Sequence, residues 1–134
     1  VYRYRYCHPR PDMVLKDKVA GLAGGVQEKT ADTPAAPRAL GAVHSADIEY
    51  AMGTLPTNRV YNWQPEDYTI SDIFSNYYVN FVKTGNPNGL GLIDWPTTNG
   101  KAIAPVLQID ANTFVKEDPN MEKRYEIMDQ LFWK

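Results

Sequence analysis

The first seven residues alternate strictly between two kinds of position. Tyrosines stand at positions 2, 4 and 6, and the positions between them hold Val1, Arg3, Arg5 and Cys7. A period of two is typical of a β-strand, because successive side chains of a strand point to opposite faces. The segment therefore predicts a strand over 1–7. Prolines at 9 and 11 end it, since proline lacks a backbone donor.

The clearest helical pattern lies near the middle of the chain. Apolar and aromatic side chains recur at three- and four-residue spacing and predict a helix over 71–83. We expect Thr69 or Ser71 to cap its N-terminus. Gly85 is placed to end the helix in the left-handed conformation, which glycine adopts readily.

The C-terminal third predicts two strands and one more helix. Short apolar runs at 106–109 and 113–116 flank a polar turn, a pattern that is typical of a β-hairpin. A further stripe at helical spacing predicts a helix over 119–132, with Pro119 at its first position. The whole pattern is that of a mixed α/β chain.

Residues 14–40 differ in kind from the rest. The segment is rich in Gly, Ala, Pro and Thr and offers little apolar surface to bury. We expect most of it to be a flexible insertion, with a short helix near 14–20. Such a long loop within one domain is unusual.

Composition narrows the classes of protein. The chain has 134 residues, of which 43% are hydrophobic and 22% charged, so it is long and apolar enough for a folded core. A net charge of -2 without a basic stripe argues against nucleic acid as a partner. No apolar run approaches the roughly 18 residues that a membrane-spanning helix needs.

Candidate chemistry is sparse. The single cysteine excludes an internal disulfide, and no spacing of His, Cys, Asp or Glu predicts a metal or cofactor site. No serine stands in a G-x-S-x-G nucleophile elbow. We interpret the acidic pairs Glu66–Asp67 and Glu117–Asp118 as solvated turn charges. His8 precedes a proline at a strand end and is expected to be structural or solvated. Composition and spacing alone leave the role of His44 open.

Three segments, taken in order, resemble the C-terminal part of the type-B carboxylesterase and cholinesterase-like family. They are V-Y-R-Y-R-Y at 1–6, G-A-V-H-S-A-D-I-E-Y-A-M-G at 41–53, and the stretch 71–89 that ends in N-F-V-K-T-G-N-P-N-G. The last motif is quite specific, and the resemblance covers nearly the whole chain except 14–40. It implies that 1–134 is a single incomplete domain, the C-terminal part of an α/β-hydrolase fold.

The resemblance also implies a role for His44. In this family the triad runs serine, acid, histidine along the chain, and the histidine follows the last main-sheet strand. His44 would then be the general base and acid of acyl transfer to or from a carboxylic ester. The serine, the acid and the oxyanion hole would lie upstream of Val1, in the remainder of the domain, so this chain alone is expected to be inactive.

Nearby residues depart from the family pattern. Ser45 stands where many relatives have glycine, and Asp47 where many have glutamate. Asp47 and Glu49 follow His44, whereas the family's triad acid precedes the histidine, so we expect Asp47 to support the site or the fold and Glu49 to support the fold.

Two other interpretations remain open at this point. Some cholinesterase-like proteins keep the fold, lose catalysis and act in adhesion, and a small independent α+β domain is a further possibility. An upstream G-x-S-x-G followed by an acid would distinguish the esterase from the adhesion module. Relatives are often secreted, which favours a secreted or periplasmic location only by resemblance.

Overall fold

Strands and helices are interspersed along the chain in the computed structural model, which describes residues 1–20, 25–33, 40–100, 103–117 and 119–132. The strands are β1 (Tyr4–Tyr6), β2 (Lys18–Ala20), β3 (Val26–Glu28), β4 (Pro105–Ile109) and β5 (Phe114–Glu117). The helices are α1 (Ile48–Ala51), α2 (Pro65–Thr84) and α3 (Met121–Phe132), with a 3-10 turn at Leu55–Thr57.

Three strands form a mixed sheet in the order β1-β4-β5. β1 runs parallel to β4, with Tyr4 opposite Leu107, and β5 returns antiparallel to β4. Every residue of β4 is buried, because this strand is central and is covered by α2 and its neighbours. The strands predicted near 1–7, 106–109 and 113–116 and their hairpin are therefore confirmed, with shifts of a few residues at their ends.

The tyrosines of β1 form the contact between the sheet and α2. The ring centroids of Tyr4 and Tyr6 lie 5.1 and 5.9 Å from that of Phe74, while Arg3 and Arg5 on the opposite face are exposed. Aromatic pairs at this separation contribute about 0.5–1.5 kcal/mol beyond burial. The core also includes residues from α1, α2, β4 and the adjoining loops: Tyr50, Ala51, Leu55, Ile70, Phe74, Tyr77, Trp95, Leu107 and Ile109.

Helix α2 begins at Pro65 rather than at 71, so the predicted caps Thr69 and Ser71 are wrong. Gln64 caps the helix, and its backbone N–H donates to Asp67 Oδ2 at 2.6 Å as part of a capping box. The first turn of α2 is polar and lacks apolar side chains at helical spacing. The apolar pattern therefore predicts a helix start that is too late in the chain. The predicted end is confirmed, since Gly85 has φ of 76°.

The segment 14–40 contains a hairpin. β2 pairs antiparallel with β3, and Lys18 forms an ion pair with Glu28 across it. The short helix predicted near 14–20 is therefore wrong, because residues 14–17 form a bend and a turn and residues 18–20 form β2. Residues 21–24 and 34–39 of the predicted flexible insertion lie outside the described residues.

Helix α3 confirms the predicted last helix, although it begins at Met121 rather than at Pro119. None of its residues is buried, and Tyr125, Leu131 and Phe132 are all more than half exposed. Across the residues described, no helix is both long and apolar enough to cross a membrane.

Candidate active site around His44

His44 lies on the turn at residues 44–47, which leads into α1. Its side chain is exposed, but the turn rests on buried residues: Ala46 and Tyr50 are each 0% exposed. The Ala46 backbone N–H donates to the Val43 carbonyl at 3.1 Å and closes the turn. The fold therefore presents an accessible imidazole on an anchored backbone.

Ser45 adopts an uncommon backbone conformation beside this histidine. Its φ is 61°, in the left-handed region that disfavours residues with a Cβ, and its Oγ lies 2.8 Å from His44 Nδ1. Glycine would adopt this backbone conformation more readily than serine, but serine adds a hydroxyl that contacts the imidazole.

We expect Ser45→Gly to be more stable than Ser45→Ala by about 1 kcal/mol, because only glycine adopts this φ without steric cost. Both variants lose the hydroxyl, so their difference isolates the backbone term. Urea unfolding of the two proteins measures it. Equal free energies of unfolding would show that the left-handed conformation is not retained in solution.

Arg10 connects the segment after β1 to the His44 turn. Its Nη2 donates to the Ser45 carbonyl at 3.0 Å and to Glu49 Oε2 at 2.5 Å. Asn58 Nδ2 donates to the other Glu49 oxygen at 2.9 Å. Burial acts to lower the pKa of Arg10, but the hydrogen bond and charge of Glu49 outweigh it, so the pKa is raised above its usual value.

Asp47 faces the sheet. Tyr4 donates its hydroxyl hydrogen to Asp47 Oδ2 at 2.9 Å, and the Tyr4 and Tyr78 hydroxyl oxygens lie 3.3 Å apart. Burial and these two hydrogen bonds raise the pKa of Tyr4 far above its usual value. Asp47 therefore connects the start of α1 to β1, and Tyr4 in turn contacts Tyr78 of α2.

Sequence reasoning missed a buried polar cluster beneath the site. Asp67 is 1% exposed and accepts from the Tyr50 hydroxyl at 2.6 Å, and its Oδ1 lies 3.0 Å from His8 Nε2. The other ring nitrogen of His8 lies 3.2 Å from Asp110 Oδ1. The interpretation of Asp67 as a solvated turn charge is thus wrong, because Asp67 lies in the first turn of α2, where it accepts from the Gln64 backbone and is buried. Glu117 is exposed, and Asp118 lies outside the described residues.

A cavity of about 500 Å³ opens beside β1 on its tyrosine face. Its lining is largely aromatic and includes Tyr4, Tyr77, Tyr78, Phe81 and Trp95. No group of three or more His, Cys, Asp or Glu side chains is arranged to hold a metal ion in the part of the chain that the structure describes.

Solved structures with the same arrangement are α/β-hydrolases. PNB esterase superposes with a TM-score of 0.61 at 22% identity, over 94% of this chain and 21% of that one. A thermophilic PNB esterase gives 0.62 at 20% identity, over 95% and 22%. The described elements are accordingly part of an α/β-hydrolase fold.

The chain belongs to the carboxylesterase family, whose family model matches residues 1–133. Carboxylesterase 4A of Bos taurus is 29% identical over 134 residues, which is 100% of this chain and 19% of that protein. Bile salt-activated lipase of Homo sapiens is 40% identical over 55 residues, which is 41% of this chain and 7% of that protein. The chain thus spans about a fifth or less of the length of these relatives.

Proposed function

We propose that this chain is the C-terminal part of a serine carboxylic-ester hydrolase and that His44 is its general base and acid. The observation that carries the proposal is the position of His44, an exposed imidazole on an anchored turn after β1, in a member of the carboxylesterase family. A base that serves a serine from another part of the sheet must be accessible in this way.

The proposed chemistry uses both ring nitrogens of His44. With the ring proton on Nδ1, where the upstream triad acid would accept it, Nε2 is left with a free lone pair. Nε2 takes the serine proton as the oxygen attacks the ester carbonyl, and returns that proton to the departing alcohol. It then takes a proton from the water that attacks the acyl-enzyme, and gives this proton to the serine oxygen as the carboxylic acid leaves.

The proposed partners are a small carboxylic ester and the remainder of the α/β-hydrolase domain. Two features support the second partner. Within the described sheet, β1 pairs on one side only, with β4. The aromatic cavity lies along the same strand and offers apolar surface that a neighbouring segment would cover.

Comparing the full-length protein with residues 1–134 alone tests the proposal. We expect the full-length protein to hydrolyse a short-chain nitrophenyl ester and to react with a fluorophosphonate. The isolated chain should do neither, because a general base without a nucleophile forms no acyl-enzyme. Turnover by the isolated chain well above that of free imidazole would contradict this division of roles. A folded full-length protein that the fluorophosphonate does not modify would favour the non-catalytic adhesion module.

A further inference from the structure

One guanidinium holds the backbone beside His44. Arg10 Nη2 donates to the carbonyl of Ser45. Ser45 directly follows His44 and adopts the left-handed backbone conformation. The same nitrogen binds Glu49 in α1. Arg10 therefore fixes two points, one next to the imidazole and one on the helix that follows it.

The surroundings shield this contact from water and add further partners. The side chains of Arg10 and Glu49 are each only 17% exposed, so the ion pair is largely shielded from water. The Arg10 guanidinium also lies 5.1 Å from the centre of the Tyr61 ring, and Asn58 holds the second oxygen of Glu49. Hydrogen bonds between charged groups are stronger than neutral ones, and a pair shielded from water is weakened less by screening than an exposed pair.

We propose that Arg10, paired with Glu49, is a positioning residue for His44, an inference that rests on the proposed function. A general base must stand within hydrogen-bond reach of the serine, and small displacements cost rate. His44 is itself exposed, and its neighbour Ser45 holds an unfavourable φ. The contact from Arg10 to the Ser45 carbonyl stabilises this conformation and, through it, the direction of the imidazole.

Arg10→Gln in the full-length protein tests the inference. Glutamine removes the positive charge and the planar guanidinium, so we expect kcat to fall by on the order of 10² with KM little changed. The rate of fluorophosphonate labelling should fall in parallel. Arg10→Lys keeps the charge but loses the guanidinium, and we expect an intermediate loss. Glu49→Gln should lower kcat in the same direction by several-fold.

Two controls separate positioning from a general loss of stability. Arg59→Gln makes the same charge change at an exposed position, and Val106→Ala weakens the core in β4, away from the contact. Both are expected to keep kcat near that of the wild-type protein. If Arg10→Gln fails to fold, the kcat values of Arg10→Lys and Glu49→Gln are compared with that of Val106→Ala instead.

The outcomes also distinguish this inference from the proposed function. Suppose that His44→Gln abolishes turnover, and that Arg10→Gln and Val106→Ala have similar melting temperatures. If the kcat of Arg10→Gln is then no lower than that of Val106→Ala, the positioning role is overturned. If His44→Gln itself keeps its turnover, the proposed function fails and the positioning role fails with it. Loss in both His44→Gln and Arg10→Gln, with KM preserved in the latter, supports the inference.

Discussion

Replacing His44 with glutamine is expected to lower the turnover of the full-length protein by on the order of 10⁴ or more. Glutamine has a similar size and keeps some hydrogen bonding, but its amide cannot accept the serine proton. Substrate binding should change far less, because the acyl and alcohol pockets would lie mainly in other parts of the protein. Steady-state kinetics with a nitrophenyl ester and circular dichroism of the purified variant measure the two effects.

The choice of control matters for this variant. His8→Gln is unsuitable, because His8 bridges Asp67 and Asp110 and its loss disturbs the fold. Val43→Ala is a better control, since Val43 is adjacent to His44 and 54% exposed. A folded His44→Gln protein that kept more than about a tenth of the turnover would assign His44 a structural role. Less than tenfold corresponds to under about 1.4 kcal/mol of transition-state stabilisation.

The second large effect concerns the buried carboxylate under the site. We expect Asp67→Asn to lower the free energy of unfolding by about 3 kcal/mol, because it leaves buried hydrogen-bond donors without an acceptor. Asp67 accepts from the Tyr50 hydroxyl and the Gln64 backbone, and its Oδ1 lies 3.0 Å from His8 Nε2, so it joins α1, α2 and the end of β1. An amide in its place has only one oxygen for these donors.

Urea unfolding checks this expectation. Glu66→Gln is the matched control, because Glu66 is the preceding residue, is exposed and undergoes the same change of charge. It should cost less than about 1 kcal/mol, which is the scale of a helix-dipole interaction at the first turn. Tyr50→Phe should fall between the two, since it removes only one hydrogen bond. If Asp67→Asn matched Glu66→Gln, the buried cluster would contribute nothing to stability.

Alternation and helical spacing were sufficient to predict β1 and α2, whose aromatic faces pack against each other. The Tyr face of β1 and the stripe of α2 are confirmed because burial on one face forces a period that is visible in the residues themselves. The same reasoning misses polar positions. The start of α2 and the burial of Asp67 follow from a capping box, whose signal is the proline at 65 and the acid two residues later.

Long-range polar contacts have no local signal at all. Arg10 lies 35 residues from Ser45 and 39 from Glu49, so no spacing rule relates them. The β2–β3 hairpin is a similar case, because its strands have three residues each, β3 is exposed throughout and neither strand shows an apolar face. His44 could be singled out only by the family-like order of segments around it. An isolated histidine carries no pattern of its own.

The rate at which a fluorophosphonate modifies the full-length protein tests the role of His44 most directly. This reaction reports the attack of the serine alone, without deacylation or product release. With wild-type protein and folded His44→Gln compared at one pH and at subsaturating reagent, we predict that the variant reacts slower by on the order of 10³ or more. Equal rates in the two proteins would contradict the account, because the serine would then be activated without His44.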